Sequence, residues 1–258
     1  MATNNDRQGA ERVNPYDGIR PKGEQVEEMF DSIAPAYDFM NNAMSFGLHR
    51  RWRARALEAA AATPLMKRGN RQNIIDLATG TGDVAFDLAE RFPGATVTGV
   101  DLSAGMLAKA REKRMRLPAS TASRIAFEQG DCLDLKFADN SFQLATIAYG
   151  VRNFENLRRG LAEIHRVLAP GGACVIIELS RPSNPLTRTA YDLYSRLLIP
   201  VAGRLASGDN RAYRYLPESI KAAPQRDNMT SLLLEAGFSS ASFKSLTMGV
   251  VCIYTAIK

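Results

Sequence analysis

The stretch NIIDLATGTGDVAF, residues 73–86, decides the fold. Apolar residues within 74–78 form a short run that is typical of a strand buried on both faces of a sheet. Gly80 and Gly82 then allow a sharp turn and a close approach of the backbone to a ligand. Asp83 stands where a helix is predicted to begin. Because unpaired N–H groups at a helix start carry positive partial charge, we expect this turn to face an anionic or carboxylate-bearing ligand.

The following strand indicates what kind of ligand this is. The run TVTGVD, residues 96–101, ends in Asp101 about twenty residues after the turn, where an acid commonly binds a ribose. Gly80, Gly82 and Ala85 also satisfy the loose dinucleotide fingerprint G-x-G-x-x-G/A. The pattern therefore predicts a nucleoside-bearing cofactor, with NAD and S-adenosylmethionine as the two alternatives.

Three further features favour S-adenosylmethionine. Asp76 is an acid inside the first strand, where a dinucleotide-binding protein usually has an apolar residue. Asp131 closes a third strand, residues 125–131, and is placed to meet an adenine edge. The run Pro170-Gly171-Gly172 before a later strand resembles the class I methyltransferase pattern. We therefore expect S-adenosylmethionine rather than NAD.

Composition limits the class of protein. A chain of 258 residues with 45% hydrophobic residues fits one globular domain, residues 23–258, after a flexible tail, residues 1–22. The tail lacks the apolar region of a secretory signal, and no apolar run approaches the length of a bilayer span. The three cysteines are isolated, so neither a disulfide framework nor a metal site is expected. The net charge of +6 permits nucleic acid or an anionic membrane as partner and selects neither.

The run YDFMNNAMSFGLHRRW, residues 37–52, resembles the first signature of the ubiquinone/menaquinone biosynthesis methyltransferase family, Y-D-x-M-N-x-x-[apolar]-S-x-x-x-H-x-x-W. Every fixed position of that signature is met: Tyr37, Asp38, Met40, Asn41, Ser45, His49 and Trp52. The alternative is a capped helical hairpin that packs over the core, in which several of these residues are only structural.

The loop GVRNF, residues 150–154, follows the predicted fourth strand, and catalytic groups in parallel sheets lie at such carboxyl ends. Nucleic-acid amino-methyltransferases carry Asn/Asp-Pro-Pro-aromatic here, and this loop has no proline, which argues against a nucleic-acid substrate. Arg152 and Asn153 instead resemble the loop of the quinone-methylating family. The alternatives are a surface ion pair for Arg152 and a helix N-cap for Asn153.

The run RVLAPGGACVIIELS, residues 166–180, resembles the second family signature, with Ala169 in place of the usual Lys or Arg. The resemblance covers about residues 22–258. It implies an α/β fold with a doubly wound, seven-stranded, mostly parallel sheet. It also implies an N-terminal helical cover, residues 23–66, and a lid insertion, residues 186–224. The lid is predicted either to pack on the domain or to accept a prenyl chain and rest on an anionic bilayer.

The reaction that the resemblance implies is methyl transfer from S-adenosylmethionine to a ring carbon of a prenylated hydroquinone. Demethylmenaquinol is the favoured substrate, and a benzoquinol, or both rings, is the alternative. Such an enzyme is expected in the cytoplasm, with peripheral contact to the inner face of the membrane. The rival hypotheses are a non-catalytic scaffold and an RNA methyltransferase. The oligomeric state is not predicted.

For the substrate side, the resemblance and the position of the loop single out Arg152. An arginine stays protonated, so it can hold an oxyanion and cannot serve as an ordinary base. Tyr37, His49 or a water ordered by Asn153 is then expected to relay the proton, and the sequence does not decide among these three.

For the cofactor, position in the predicted sheet suggests a role for each residue. Thr81 and the backbone of Gly80 and Gly82 are expected to contact the methionine portion. Asp76 either contacts the cofactor as well or anchors the glycine loop.

The nucleoside end of the cofactor is assigned to the next two strands. Asp101 is expected to accept hydrogen bonds from both ribose hydroxyls, and Asp131 with the backbone of Cys132 to meet adenine. Between these strands a helix starts at Ser103 as its N-cap. Its basic residues, Arg111, Lys113, Arg114 and Arg116, are predicted to face solvent.

Overall fold

The computed structural model describes residues 9–69, 71–206 and 210–258, without the side chains of 196–206, 210 and 213. Seven strands form one sheet: β1 Asn73–Leu77, β2 Thr96–Asp101, β3 Ile125–Gln129, β4 Phe142–Ala148, β5 Leu168–Leu179, β6 Ser240–Leu246 and β7 Val251–Ile257. The helices are α1 Lys22–Ile33, α2 Tyr37–Ser45, α3 Leu48–Ala61, α4 Pro64–Lys67, α5 Asp83–Arg91, α6 Ala104–Arg114, α7 Ala119–Ala122, α8 Leu157–Val167, α9 Pro185–Ala206, α10 Asn210–Ala222 and α11 Asp227–Glu235.

The strand order in the sheet is β3-β2-β1-β4-β5-β7-β6. Neighbouring strands from β3 to β5 run parallel, whereas β7 runs antiparallel to both β5 and β6. The predicted doubly wound, seven-stranded, mostly parallel sheet is therefore confirmed. Strands β2 and β3 lie on one side of β1, and β4, the next strand in the chain, lies on the other side. A crevice consequently opens at the carboxyl ends of β1 and β4, where open α/β sheets bind their ligands.

Helices cover both faces of the sheet, because successive residues of a strand point to opposite sides. Ile75 and Leu77 pack in a core cluster with residues of α8 and α11. Ile74, from the same strand, belongs to a second cluster with residues of α3, α5 and α6. The apolar run of β1 is thus buried on both faces, as its sequence predicts.

The segment before α1 lies against the domain. A 3₁₀ turn spans Gly9–Arg12, and Ala10 within it is buried. The Nζ atom of Lys22 donates to the Ala10 carbonyl at 2.7 Å, and Glu11 Oε1 accepts from Leu157 N at 2.6 Å. The part of the predicted flexible tail that the structure describes, residues 9–21, therefore contacts the body. The prolines and glycines of this segment predict a flexible chain, and they do not indicate that the buried Lys22 holds the segment to the domain.

Helices α1 to α4 occupy the segment predicted as the helical cover, and α9 and α10 occupy the segment predicted as the lid insertion. The two units meet at Tyr194 of α9, whose hydroxyl donates to the Met44 carbonyl of α2. Among the helices that the structure describes, none combines the length and apolarity that a membrane span requires. The cover and the lid together enclose the crevice above β1 and β4.

Candidate active site

Two adjoining cavities lie at the carboxyl ends of β1, β2 and β4. The larger measures about 190 Å³ and lies beneath α2, α9 and α10. The smaller measures about 80 Å³ and lies beneath α1, beside β2. The two cavities share walls: Phe30, Tyr37, Ala78, Gly80, Ala148 and Tyr149. The two cavities are therefore direct neighbours that meet at Gly80 and Tyr37.

The two glycines of the β1–α5 turn serve different purposes. Gly80 has φ of +56°, and the space that a side chain would enter is open up to Tyr37, at 3.9 Å. Gly82 has φ of +84°, and a Cβ there would lie 2.8 Å from the ring of Phe127. Gly80 lines both cavities, whereas Gly82 lines neither. The sequence assigned both backbones to the cofactor, and the structure places only Gly80 beside the cavities.

Asp76 anchors the glycine loop. Its carboxylate accepts from the hydroxyls of Thr79 at 2.5 Å and Thr146 at 2.6 Å. Burial raises the pKa of Asp76 from 3.8 to about 7, although the two hydroxyls oppose this rise. Asp76 lines the larger cavity, but each of its oxygens already has a partner in the protein. This geometry matches the anchoring alternative.

Three residues assigned to the nucleoside line the smaller cavity together: Asp101, Asp131 and Cys132. The carboxylate of Asp101 accepts from Gly80 N at 2.7 Å and from Ser103 N at 2.9 Å. Burial raises the pKa of this carboxyl, and these backbone donors oppose the rise. Asp131 is exposed, and its Oδ1 accepts from Leu133 N at 2.8 Å. Each carboxylate retains lone pairs for a ligand, since an ionised carboxylate has about four acceptor positions.

Thr81 belongs to a charged network that sequence reasoning missed. Its hydroxyl donates to Asp38 Oδ1 at 2.6 Å and accepts from Lys113 Nζ at 2.9 Å. Lys113 also pairs with Asp38 and with Asp83, at 2.5 Å and 2.8 Å. Arg53 pairs with Asp83 from the other side at 2.5 Å. Asp38 thus connects the first family signature to the glycine turn. The Thr81 hydroxyl uses its proton and one acceptor position within this network.

The predicted solvent-facing position of the α6 basic residues is confirmed for Arg111 and Arg116, which are exposed, and wrong for Lys113 and Arg114, which are half-buried. Lys113 lies in the network just described, and Arg114 donates to the Ile125 carbonyl at 2.7 Å. Arg111, although exposed, donates to the Phe127 carbonyl at 3.1 Å. These long side chains reach past their own helix to the sheet. The helical period of the sequence does not reveal these contacts with the sheet, because basic residues on a fully solvated helix face show the same charge and spacing.

Arg152 lies in a 3₁₀ turn, Val151–Asn153, which Tyr149 and Gly150 separate from the end of β4. Its Nη1 donates to Glu178 Oε1 at 2.8 Å and to the Tyr149 carbonyl. Arg152 is 8% exposed and Glu178 is 2% exposed, so the alternative of a surface ion pair is wrong. Burial lowers the pKa of Arg152, but the charge and hydrogen bond of Glu178, together with Tyr215 and Tyr37, outweigh burial, and the net direction is upward. The guanidinium therefore carries its charge inside the cavity that it lines.

Asn153 does not cap the following helix. The N-cap of α8 is Asn156, whose Oδ1 accepts from Arg159 N at 2.9 Å. Asn153 instead accepts from the Tyr215 hydroxyl of α10 at 3.0 Å, and it lines the smaller cavity. Lys22 Nζ donates to the Arg152 carbonyl at 3.2 Å. The cover and the lid thus hold this loop from both sides.

Tyr37 and His49 line the larger cavity, and Tyr37 also lines the smaller one. Burial raises the pKa of the Tyr37 phenol, while a hydrogen bond with Asn41 and the charge of Arg152 oppose this. Burial lowers the pKa of His49, and nearby arginines lower it further. Both groups are therefore neutral near pH 7.

The hydrogen bonds of His49 define its tautomer. Ser45 Oγ donates to the Asn41 carbonyl at 2.6 Å and lies 2.7 Å from His49 Nδ1. A serine has one hydroxyl proton, so His49 donates from Nδ1 to this oxygen. The neutral ring then keeps Nε2 as a proton acceptor.

Comparison with known proteins identifies the family. Residues 19–258 match the model of the ubiE/COQ5 methyltransferase family. Proteins named demethylmenaquinone methyltransferase are 42% identical in Bacteroides fragilis, over 96% of this chain and 98% of the relative, and 43% identical in Porphyromonas gingivalis, over 97% and 100%. A ubiquinone/menaquinone biosynthesis C-methyltransferase of Geobacter sulfurreducens is 40% identical over 93% and 91%.

Solved structures agree with the fold. An S-adenosylmethionine-dependent methyltransferase of Thermotoga maritima has a TM-score of 0.60 at 16% identity, covering 90% of this chain and 99% of that one. A phosphoethanolamine N-methyltransferase of Haemonchus contortus, in complex with S-adenosylmethionine, has a TM-score of 0.57 at 15% identity, covering 80% and 52%. The likeness in fold, the family match and the identity over nearly the full length agree, and the chain belongs to the ubiE/COQ5 methyltransferase family.

Proposed function

We propose that this protein transfers a methyl group from S-adenosylmethionine to a ring carbon of demethylmenaquinol, forming menaquinol. The observation that carries this proposal is the buried, charged Arg152 in a largely apolar cavity. That cavity adjoins a second one lined by four carboxylates, Asp101 and Asp131 among them. The relatives named demethylmenaquinone methyltransferase support the same reaction.

The residues of the smaller cavity fit S-adenosylmethionine. Asp101 and Asp131 offer acceptors for hydroxyl and amino groups, and Leu102 and Met106 offer apolar walls for a purine. The open space beside Gly80 leads toward the larger cavity, as the methionine end of the cofactor requires. The cofactor supplies an electrophilic methyl, and on transfer a carbon–carbon bond forms while the electron pair of the broken carbon–sulfur bond stays on sulfur.

The protein must make the ring carbon nucleophilic. Loss of a proton from the neighbouring ring hydroxyl does this, and Arg152 stabilises the resulting phenolate because its charge is permanent. His49 offers Nε2 as the acceptor of that proton, directly or through a water. Tyr37 lies at the junction of the cavities and orients the ring against the cofactor. The proton of the methylated ring carbon then passes to water, the ring becomes aromatic again, and His49 returns its proton to the ring oxygen.

Turnover with labelled S-adenosylmethionine tests the proposal. The purified protein is incubated with reduced demethylmenaquinol and, separately, with a demethylated benzoquinol. We expect methyl transfer to the naphthoquinol. The oxidised quinone is the matched control, since it has no hydroxyl to ionise and should give no product. Transfer to the benzoquinol alone would contradict the substrate assignment, and transfer to neither quinol would contradict the proposed reaction.

We also propose that the protein docks on an anionic membrane surface through its cover and lid. Among the described side chains of α2, α9 and the turn after α2, the large apolar ones that are exposed are Phe39 at 68%, Phe46 at 76%, Leu186 at 81% and Leu193 at 60% exposure. Phe46 contacts Tyr194, with ring centroids 6.2 Å apart, and Tyr194 lines the larger cavity. This apolar surface therefore adjoins the cavity that would receive a prenylated ring.

Charge supports the same partner. Arg50 and Arg51 are exposed at the start of α3, close to this surface in the chain, and Arg188 is exposed on α9. The chain as a whole carries a net charge of +6. Basic groups beside apolar side chains favour anionic lipid headgroups, and a membrane is where a long-tailed quinol resides.

Replacing both Phe46 and Leu193 with serine is expected to reduce binding to anionic vesicles about tenfold or more, because each buried apolar side chain contributes about 1.5–3 kcal/mol when fully inserted. Cosedimentation with phosphatidylglycerol-containing vesicles measures this. The matched control is Met115→Ser, which removes a side chain of 78% exposure at the end of α6. Equal loss in both variants, or binding to neutral vesicles alone, would contradict the assigned surface.

A further inference from the structure

Two buried polar atoms of the larger cavity lack a partner in the part of the chain that the structure describes. They are the Tyr149 hydroxyl and Nε of Arg152. Both residues line this cavity. A buried donor without a hydrogen bond costs free energy, and native proteins leave few of them. Two such donors in one cavity indicate a ligand atom that completes both.

The backbone of Tyr149 is held in a costly conformation. Its φ of +57° lies in the left-handed region, which bulky side chains rarely adopt. Its N–H donates to the Ile177 carbonyl of β5 at 2.8 Å. The next residue is Gly150, where a Cβ would lie 2.5 Å from Ala78. The surrounding structure thus fixes the ring of Tyr149 at the junction of the two cavities, and such strain is typical of functional positions.

We propose that the Tyr149 hydroxyl and Arg152 Nε together bind the ring oxygen next to the methylated carbon, and thereby direct the methyl group to carbon rather than to oxygen. This inference rests on the proposed function. Burial raises the pKa of the Tyr149 phenol, and the charge of Glu178 raises it further, so Tyr149 keeps its proton and acts as a donor. An oxyanion that accepts two hydrogen bonds has fewer free lone pairs for attack on a methyl group.

The two outcomes differ in which bonds form. In carbon methylation a carbon–carbon bond forms, and the ring carbon loses its proton. In oxygen methylation an oxygen–carbon bond forms, and the hydroxyl proton is lost. In both, the bond between sulfur and the methyl carbon breaks and its electrons stay on sulfur. The product ratio therefore reports how well the ring oxygen is held.

Tyr149→Phe removes only the hydroxyl. We expect kcat/KM to fall about tenfold or more and an oxygen-methylated product to appear, with cofactor affinity within about twofold of the native value. The Tm should stay equal or rise, because the hydroxyl has no partner to lose. The matched control is Tyr254→Phe: the Tyr254 hydroxyl accepts from Arg226 N at 2.8 Å, and Tyr254 lines neither cavity. That variant should lower the Tm and leave the product ratio unchanged.

Native rate and product ratio in Tyr149→Phe would overturn the inference. A second measurement separates it from the proposed function: the ionised fraction of bound 1-naphthol, read from its absorption between pH 7 and 9. One outcome is that the native protein methylates neither quinol and still ionises bound 1-naphthol more than Tyr149→Phe does. That result would support the donor pair, the Tyr149 hydroxyl and Arg152 Nε, and would contradict the proposed function. Equal ionised fractions in both proteins would overturn the donor pair whichever substrate is used.

Discussion

An alanine in place of Arg152 is expected to lower kcat/KM about 10²–10³-fold, the usual cost of removing one charge-stabilising donor from an active site. It should also lower the free energy of unfolding by about 3–5 kcal/mol, because the buried carboxylate of Glu178 loses its counter-charge. Steady-state methyl transfer and urea denaturation measure the two effects. Arg152→Lys keeps the charge but loses Nε, so it should recover stability better than activity.

The double variant Arg152→Met, Glu178→Leu separates the two roles of this pair. Replacing both members of a buried ion pair with apolar residues is often neutral or stabilising. We therefore expect the double variant to regain most of the stability that Arg152→Ala loses and none of the activity. If activity returned together with stability, Arg152 would serve folding only. If the single alanine variant kept native turnover, Arg152 would not hold the phenolate.

Much of the fold was predictable because it follows from local patterns and one topological rule. The apolar run of β1, the turn at Gly80 and the acid at the end of β2 are each visible within a few residues. Parallel strands bring their carboxyl ends to one edge, so Asp101 and Asp131 had to lie near the same cavity. The structure places both there.

The partners of the site residues were not predictable in the same way. Arg152 and Glu178 lie 26 residues apart, on β4's loop and on β5, and nothing in either segment shows that they pair. Lys113 on α6 can contact Thr81 because the lysine side chain is long. The choice between Asn153 and Asn156 as the α8 cap depends on where the 3₁₀ turn ends. All three features depend on the tertiary structure. The reach of a long side chain and the end of a loop produce no periodic pattern in the sequence.

Asp76 gives the fold a dependence on pH that Asp76→Asn should remove. The pKa of Asp76 is 3.8 in the unfolded chain and about 7 in the folded protein, raised by burial. Between these values the folded protein keeps a proton that the unfolded chain releases. The stabilisation from this group is therefore complete below about pH 4 and is lost as the pH rises through about 7. The rise from 3.8 to about 7 corresponds to about 4 kcal/mol.

Asparagine is neutral at every pH, so the difference in unfolding free energy between Asp76→Asn and the native protein should change with pH. At pH 8 the variant should be the more stable by about 3 kcal/mol, which is the pH effect of about 4 kcal/mol less about 1 kcal/mol for the weaker hydrogen bonding of the amide. At pH 3 the order should reverse by about 1 kcal/mol. There the protonated acid is no longer penalised, and the amide offers only one acceptor oxygen to the hydroxyls of Thr79 and Thr146. Urea denaturation of both proteins across this range measures the difference, and all other titrating groups cancel in it. A difference that stays constant with pH would show that Asp76 keeps its charge in the core, and that the two threonine hydroxyls outweigh its burial.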